Sequence, residues 1–511
     1  MSIGVAGITV TIGTGVTAAA HSLNLVNSTL DITGGSLYTV HLATFNGAYV
    51  QTGGTYMMSG LGANFFDGFT QTGGTINVLS GAMQLYDGGT LRGTLTGTGA
   101  LDIVNGSAYV NKGFACSLSS IVIGAQGGKL GFDINFTYAE NLTLLSAGVL
   151  DLFGNTLTLS GTSLLEGVVG FGRIIDSGTM TLSTPQFESV LDNGLTLTVT
   201  GTLIQGGNVA LGATDAGAKV NIAKSGSYQI NGNWTTFNPS SVGSIVNAGV
   251  FAKTFGGKTA RVDASLTSKG TIKTEIGTLL LNGLVNSIAG TVSGDGTLGI
   301  AGGQTVFGNK LSLQMAALDQ QSGILVLNKA MTYAGEWDQT GGVLNLNATA
   351  AVLTLNGQTD LDGGTLTSFG GTMVLNGPAH AGNVTIGGPT TLDINGTLDQ
   401  ASNITFGLSS NPTATIAGGA NWVLEGDSSI LGFFGVIENG GTFIDRDGSG
   451  DSVVQSQMIS TGTIAVGNST LTLAGSNDPR RDAWRQWIAG TRRQHRAGKR
   501  PGHQRLRADR G

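Results

Sequence analysis

A sixteen-residue pattern occurs twice in this chain, first at Ser268–Gly283 and again at Ser460–Gly475. Both copies read S-x-G-T-I, then five variable residues, then T-L-x-L-x-G. Apolar residues occupy alternate positions, and this period of two places successive side chains on opposite faces of a β-strand. Glycine or a small residue between the two halves is typical of a turn. The pattern therefore predicts a strand, a turn and a second strand, and it constrains the fold of the whole chain.

The alternation in the first copy also predicts which of its side chains are buried. Ile272, Leu279 and Leu281 fall on one face, which we expect to lie inside. Lys273 and Glu275 are expected in solvent. This assignment agrees with the rarity of fully buried lysine and glutamate side chains that have no partner.

Glycine pairs recur at a nearly fixed interval in the first hundred residues. The pairs that begin at Gly34, Gly53 and Gly73 lie 19 and 20 residues apart, and a short alternating segment follows each of them. A fixed period of this size is typical of a solenoid, in which every unit buries its apolar face against its neighbours. We therefore predict stacked coils of about 20 residues.

A second motif extends the repeat along the body of the chain. Arg92–Gly106 aligns position for position with Ala289–Gly303, with glycines at corresponding positions. Glycine makes up 86 of the 511 residues, and each interior glycine costs a helix roughly 1 kcal/mol relative to alanine, so long helices are disfavoured. The predicted fold class for residues 1–476 is all-β, a single-stranded, right-handed parallel β-helix, or β-solenoid.

The end of the chain has a different composition. Residues 477–511 carry 11 Lys and Arg against 3 Asp, whereas residues 1–476 carry 14 basic residues against 28 acidic ones. The strand alternation also stops at this boundary. We predict a second region at 477–511, an Arg-rich tail that is disordered, weakly helical or out of frame. Specific nucleic-acid recognition is not expected of a basic tail joined to an acidic body.

Three short motifs, GTVSGDGTL, GTL-x-L-x-G and QTGGT, resemble the repeats of bacterial autotransporter passengers and filamentous-haemagglutinin-like β-strand repeat surface proteins. The resemblance implies a structural or adhesive rod, extracellular or at the bacterial cell surface, whose partners are host or matrix glycans, proteins or other rods. The start, MSIGVAGITV, has no basic region typical of a signal peptide, and no apolar run is long enough to cross a membrane. A monomer or a fragment of a longer chain is expected.

The densest acidic group in the body is a candidate metal site. Asp445, Asp447, Ser449 and Asp451 supply side-chain oxygens at alternating positions around two glycines. This spacing resembles the opening of a calcium loop, D-x-D-x-[DNS]-G, but Ser456 stands where such a loop has its bidentate glutamate. The two open interpretations are a calcium site and a polar turn between coils.

A basic stretch lies in the least repetitive part of the body. Its members are Lys253, Lys258, Arg261, Lys269 and Lys273. One interpretation is a solvated face that offsets the acidic body. The other is a binding strip for an anionic glycan or a lipid headgroup.

The alternative function is a β-helical polysaccharide lyase or hydrolase, since this fold hosts such enzymes. An active groove needs clustered Asp with Arg or Lys, yet the body's four arginines are widely separated: Arg92, Arg173, Arg261 and Arg446. Neither G-x-S-x-G nor H-E-x-x-H occurs, and these are the usual signatures of hydrolase nucleophiles and zinc peptidases. The single cysteine, Cys116, excludes a multi-cysteine zinc site. We therefore expect a non-enzyme with no cofactor other than calcium.

Overall fold

The computed structural model describes residues 2–3, 6–214, 216–407, 409–446, 450–475 and 504–507, with backbone only at 2–3 and 504–507. It divides into two compact units. Unit 1 comprises Met1–Gly256 with Ala260–Gly270, and unit 2 comprises Gly257–Thr259 with Thr271–Gly511. The described residues contain β-strands and turns but no helix. The all-β prediction is confirmed.

Unit 1 consists of coils that contribute three short strands each. The strands pair in parallel with the equivalent strands of neighbouring coils and form three ladders, one of which is interrupted once. We call these ladders 1A, 1B and 1C. Ladder 1A contains Ser2–Ile3, Leu23–Val26, Ala43–Asn46, Gly62–Phe65, Ala82–Leu85, Ala100–Ile103, Ser120–Ile123, Asn141–Leu144, Thr162–Leu165, Thr179–Leu182, Thr202–Gln205, Ser227–Asn231 and Val250–Phe255.

The other two ladders of unit 1 have the same parallel pairing. Ladder 1B contains Thr9–Ile12, Thr29–Ile32, Tyr49–Gln51, Phe69–Gln71, Gly88–Leu91, Ser107–Val110, Lys129–Phe132, Val149–Asp151, Val168–Val169, Ser189–Leu191, Val209–Leu211, Thr235–Phe237 and Thr259–Val262. Ladder 1C has two segments. They contain Thr17–Ala20, Ser36–Thr39, Thr55–Met58, Thr75–Val78, Thr94–Thr96 and Ala115–Ser117, then Phe136–Tyr138, Thr156–Leu159, Arg173–Asp176, Thr196–Val199, Lys219–Ile222, Ser244–Asn247 and Ser265–Ser268.

Unit 2 repeats this plan in ladders 2A, 2B and 2C. Two long strands, Thr291–Ile300 and Ser312–Gln320, bend through a corner and serve both 2C and 2A. Ladder 2A also contains Thr278–Leu281, Glu336–Gln339, Thr359–Leu361, Ala379–Ala381, Thr397–Gln400, Asn421–Glu425, Thr442–Arg446 and Thr463–Val466. Ladder 2B contains Val285–Ile288, Gln304–Phe307, Ile324–Leu327, Val343–Leu346, Thr365–Ser368, Thr385–Ile386, Ile404–Phe406, Ile430–Leu431, Asp451–Val454 and Thr470–Leu473. Ladder 2C also contains Thr271–Thr274, Met331–Tyr333, Val352–Leu355, Thr372–Leu375, Thr391–Ile394, Thr413–Ile416, Val436–Asn439 and Gln457–Ser460.

The core of each unit is built from the inward residues of the alternating strands. Inward residues of paired strands lie next to one another in consecutive coils, as Leu37, Tyr56 and Ile76 do. In unit 1 the rings of Phe45 and Phe65 are parallel with centroids 4.6 Å apart, and those of Tyr49 and Phe69 are parallel at 5.2 Å. Such stacked aromatic pairs add to the stability that burial alone provides.

The predicted assignment in the repeated pattern is confirmed. Ile272, Leu279 and Leu281 are fully buried. The side chains of Lys273 and Glu275 are 45% and 42% exposed, and they form an ion pair of 2.7 Å.

The glycine spacing has the structural meaning that the sequence predicts. Ser36 pairs with Thr55, and Thr55 with Thr75, so the 19 and 20 residue intervals are the lengths of successive coils. Gly97 and Gly294, which occupy equivalent positions in the second motif, both have positive φ. A Cβ atom on either would collide with a carbonyl of the preceding coil. Only glycine fits these corners without strain.

The tail prediction falls almost entirely outside the described residues. The exception is the backbone of Gln504–Arg507, a strand that pairs antiparallel with Thr470–Leu473 at the end of ladder 2B.

Candidate functional site

Of the two described members of the predicted calcium loop, one is buried inside the coil and the other is exposed. Asp445 is fully buried, and its carboxylate accepts hydrogen bonds from Ser452 Oγ at 2.9 Å and from Ser469 Oγ at 2.6 Å. Asp451 is exposed at the start of its strand. The remaining two members, Asp447 and Ser449, lie outside the described residues. Calcium binding at this loop therefore stays a prediction, while Asp445 has a structural role within the coil.

One member of the predicted basic stretch lies in the interior. Lys253 is fully buried, and its ammonium donates to the carbonyl oxygens of Gly232, Phe255 and Gly256 at 3.1, 2.7 and 2.5 Å and to Asn233 Oδ1 at 3.2 Å. Desolvation by burial lowers the pKa of Lys253. Both interpretations of the stretch assumed an exposed lysine, and for Lys253 this assumption was wrong. Its neighbours in unit 1 supply enough oxygen atoms to hold the buried charge.

The other members of the basic stretch are at the surface. Arg261 forms an ion pair of 2.6 Å with Asp263, in addition to the Lys273 pair described above. Lys258 and Lys269 are exposed.

Polar residues recur at the last inward position of a strand, where the chain enters a corner. In three such cases a buried glutamine amide donates to corner carbonyls: Gln51 to Gly54, Gln205 to Gly207, and Gln400 to Ser402. The donors satisfy backbone oxygens that a corner turns away from the strand ladder. In the first QTGGT motif the glutamine, Gln51, caps the glycine corner that follows it. In the second motif Gln71 donates to the Gln51 side chain in the coil before it.

Two aspartates have pKa values raised to about 6, for different reasons. Asp176 is fully buried at an inward position of ladder 1C, and desolvation raises its pKa although the Gly178 N–H donates to it. Asp338 lies on the outer side of ladder 2A, where burial and nearby carboxylates, that of Asp319 first, raise its pKa. Asp319, Asp338 and Asp360 occupy one column in consecutive coils. Among the described residues no group of three or more Asp, Glu, His or Cys side chains is arranged to hold a metal ion.

The outer side of unit 1 carries an aromatic surface formed by Tyr109, Phe153 and Phe171, which are 42%, 44% and 56% exposed. The rings of Tyr109 and Phe153 are 6.2 Å apart and inclined by 27°. Gly131 lies between them in the intervening coil. A Cβ on Gly131 would lie 2.6 Å from the Phe153 ring and 3.0 Å from that of Tyr109. Because Gly131 has no side chain, nothing from the intervening coil displaces the two rings.

Local backbone geometry fixes the orientation of this aromatic surface. Phe153 has a φ of 47°, a conformation that bulky residues seldom adopt. Asp151 Oδ1 accepts the Phe153 N–H at 3.1 Å, and the next residue, Gly154, donates its N–H to the Phe171 carbonyl at 3.0 Å. Strained backbone of this kind, held by neighbouring contacts, is often found at binding sites. Alternation did not predict this surface, because its three rings come from separate coils of unequal length.

Unit 2 has a polar cleft between two consecutive coils. Its volume is about 350 Å³, and its lining includes Asn309, Ser312, Gln314, Lys329 and Thr332. The cleft lies where ladder 2C restarts at Met331–Tyr333, so it is a local separation of adjacent coils.

The stacked parallel coils define a β-solenoid protein in each unit. No family model matches the chain, and no curated protein matches it either. Among the described residues, no helix is both long and apolar enough to span a membrane.

Proposed function

We propose that the chain is a non-catalytic adhesive β-solenoid of the bacterial surface, which binds glycans through the outer sides of its coils. The observation that carries this proposal is the aromatic surface of Tyr109, Phe153 and Phe171. Aromatic rings offer flat apolar faces that stack on the apolar faces of sugar rings. The proposal is consistent with the repeat motifs, which resemble those of bacterial surface proteins.

The charge of the chain narrows the class of glycan. Residues 1–476 have 28 acidic and 14 basic side chains, and a net negative field repels anionic ligands. We therefore expect neutral glycans to bind at the aromatic surface in preference to acidic ones. Each contact is weak, but several sugar rings of one glycan that bind along successive coils raise the overall avidity well above that of a single contact.

The test is a glycan-array and cell-binding comparison of the purified chain with Phe153→Ala and Phe171→Ala variants. We expect each variant to lose about 5- to 150-fold in glycan affinity, which corresponds to the roughly 1–3 kcal/mol that base–aromatic stacking contributes. Phe369→Ala is the matched control, because Phe369 is 69% exposed in unit 2. Equal binding by all variants would overturn the assignment of the site.

The alternative function is polysaccharide cleavage, and the same chain tests it. Acidic and neutral polysaccharides are incubated with the chain, with and without calcium, and the release of unsaturated products or reducing ends is followed. We expect no turnover. Specific turnover that Asp447→Ala abolishes would replace the adhesive proposal with a lyase or hydrolase.

A further inference from the structure

Two exposed histidines of unit 1 form a side-chain pair. His21 and His41 lie 20 residues apart, at the same corner of consecutive coils, and both are exposed. The backbone N–H of His41 donates to the backbone carbonyl of His21 at 2.7 Å. This hydrogen bond holds the two backbones next to each other. The imidazole centroids are 4.1 Å apart, and the ring planes are inclined by 45°.

We propose that His21 and His41 together bind a transition-metal ion of the Zn²⁺ or Cu²⁺ class. Imidazole nitrogen suits these ions, with metal–nitrogen bonds of about 2.0–2.1 Å. Two such bonds in tetrahedral geometry need nitrogens about 3.3 Å apart. Rings whose centroids are 4.1 Å apart reach this separation because each nitrogen lies about 1 Å from its ring centre, and the inclination brings one pair of edges together. Calcium and magnesium prefer oxygen ligands and are not expected here.

The backbone holds the pair ready for binding. Beside the His41 hydrogen bond, Val40 N–H donates to the Ala20 carbonyl at 3.2 Å, so two successive corner residues are paired across the coils. The second imidazole therefore reaches a metal already held by the first at a high effective concentration. Two protein ligands leave the remaining positions of the ion open to water or to a donor from another molecule.

The next coil provides a gain-of-function test. Counted back from the pair of Ala43 with Ala63, Leu61 lies in the corner one coil beyond that of His41. This corner is one residue longer, since Thr39 pairs with Met58 on its other side. Leu61 is 70% exposed, so its replacement does not disturb the core. In a Leu61→His variant three imidazoles follow one another along the same corner, and a third ligand adds to the chelate.

The experiment is equilibrium dialysis of the full chain, without an affinity tag, against Zn²⁺ and Cu²⁺ in a non-chelating buffer, with bound metal measured by mass spectrometry. We expect one equivalent that His21→Ala and His41→Ala each weaken about tenfold or more, because either change leaves a single ligand. Leu61→His should strengthen the same site about tenfold. His380→Ala, His495→Ala and His503→Ala serve as controls for the other histidines of the chain.

Two results would overturn the proposal. The first is metal binding by His21→Ala or His41→Ala that equals that of the unchanged chain. The second is that each single variant binds half as much metal as the unchanged chain but with the same affinity. This result would mean that the two histidines bind metal independently and form no chelate. Circular dichroism checks that the variants are folded, and substitutions at exposed positions seldom change stability by more than about 0.5 kcal/mol.

Discussion

The ammonium nitrogen of Lys253 lies 2.7 Å from the carbonyl oxygen of Phe255, two residues further along the chain. With the oxygens of Gly232, Asn233 and Gly256 it forms a closed set of acceptors around a buried positive charge. These oxygens belong to two consecutive corners of ladder 1A. Lys253 therefore acts as an internal tie between coils of unit 1.

Replacing Lys253 by methionine should destabilise these coils by about 2–4 kcal/mol, because buried carbonyl oxygens lose their donor. Lys269→Met is the matched control, since Lys269 is exposed and should tolerate the change. Urea unfolding, with hydrogen exchange of the segment 228–256, measures the difference. Equal stability of the two variants would mean that the oxygens find other donors without Lys253.

The buried lysine and the apolar residues of the repeated pattern show where sequence alternation is sufficient to predict burial and where it fails. Alternation placed Ile272 and Leu279 inside because an apolar side chain on a buried face needs no particular partner. It also puts Lys253 in phase with buried Phe251, but the general rarity of buried lysine favoured an outward side chain. The acceptors that reverse this expectation come from corners about 20 residues apart in sequence, and their convergence depends on the coil register.

The candidate sites were harder to predict than the fold for the same reason. Tyr109 and Gly131 are one coil apart at 22 residues, whereas Thr162 and Thr179 are one coil apart at 17. Because coil length varies, the sequence does not reveal which outward residues become neighbours. The aromatic surface and the histidine pair follow only from the register of the folded coils.

Leu279→Ala should cost roughly 2–5 kcal/mol, since it removes a fully buried side chain and leaves a cavity. Lys273→Ala should change stability by no more than about 1 kcal/mol, because its ion pair with Glu275 is exposed. Chemical denaturation of the full chain, monitored by hydrogen exchange at residues 268–300, tests both expectations. Equal effects of the two substitutions would contradict the assignment of the two faces.

Asp445→Asn should lower stability both with calcium and with EGTA. The buried carboxylate accepts one hydrogen bond on each oxygen, from two serine hydroxyls. An asparagine has a single acceptor oxygen, so it can accept from only one of these hydroxyls in this way, and its NH2 group faces the other. Thermal unfolding in the two buffers measures the loss. The Asp451→Asn variant tests calcium binding separately. If calcium raises the unfolding temperature of the unchanged chain but not that of this variant, the loop holds a metal site.

The contribution of Asp176 to the stability of unit 1 should fall as the pH rises from about 4 to 6. Burial raises the pKa of Asp176 to about 6 in the folded chain, whereas an aspartate in the unfolded chain titrates near 3.9. Between these values the folded state binds more protons than the unfolded state, so folding is favoured towards lower pH. Above both pKa values the carboxylate of Asp176 is ionised in the folded and the unfolded chain. Burial of this charge then lowers the free energy of unfolding by its full amount.

The Asp176→Asn variant should therefore be more stable than the unchanged chain at pH 7 and similar to it at pH 4. The difference expected from a shift of this size is on the order of 3 kcal/mol. Urea unfolding at several pH values gives the two curves, and their difference isolates Asp176 from other groups that titrate in the same range, such as Asp338. Asp133→Asn is the control, because Asp133 is exposed on the same unit. If the two curves run parallel from pH 4 to pH 7, Asp176 is not the buried, unionised carboxyl at low pH that its position in ladder 1C implies.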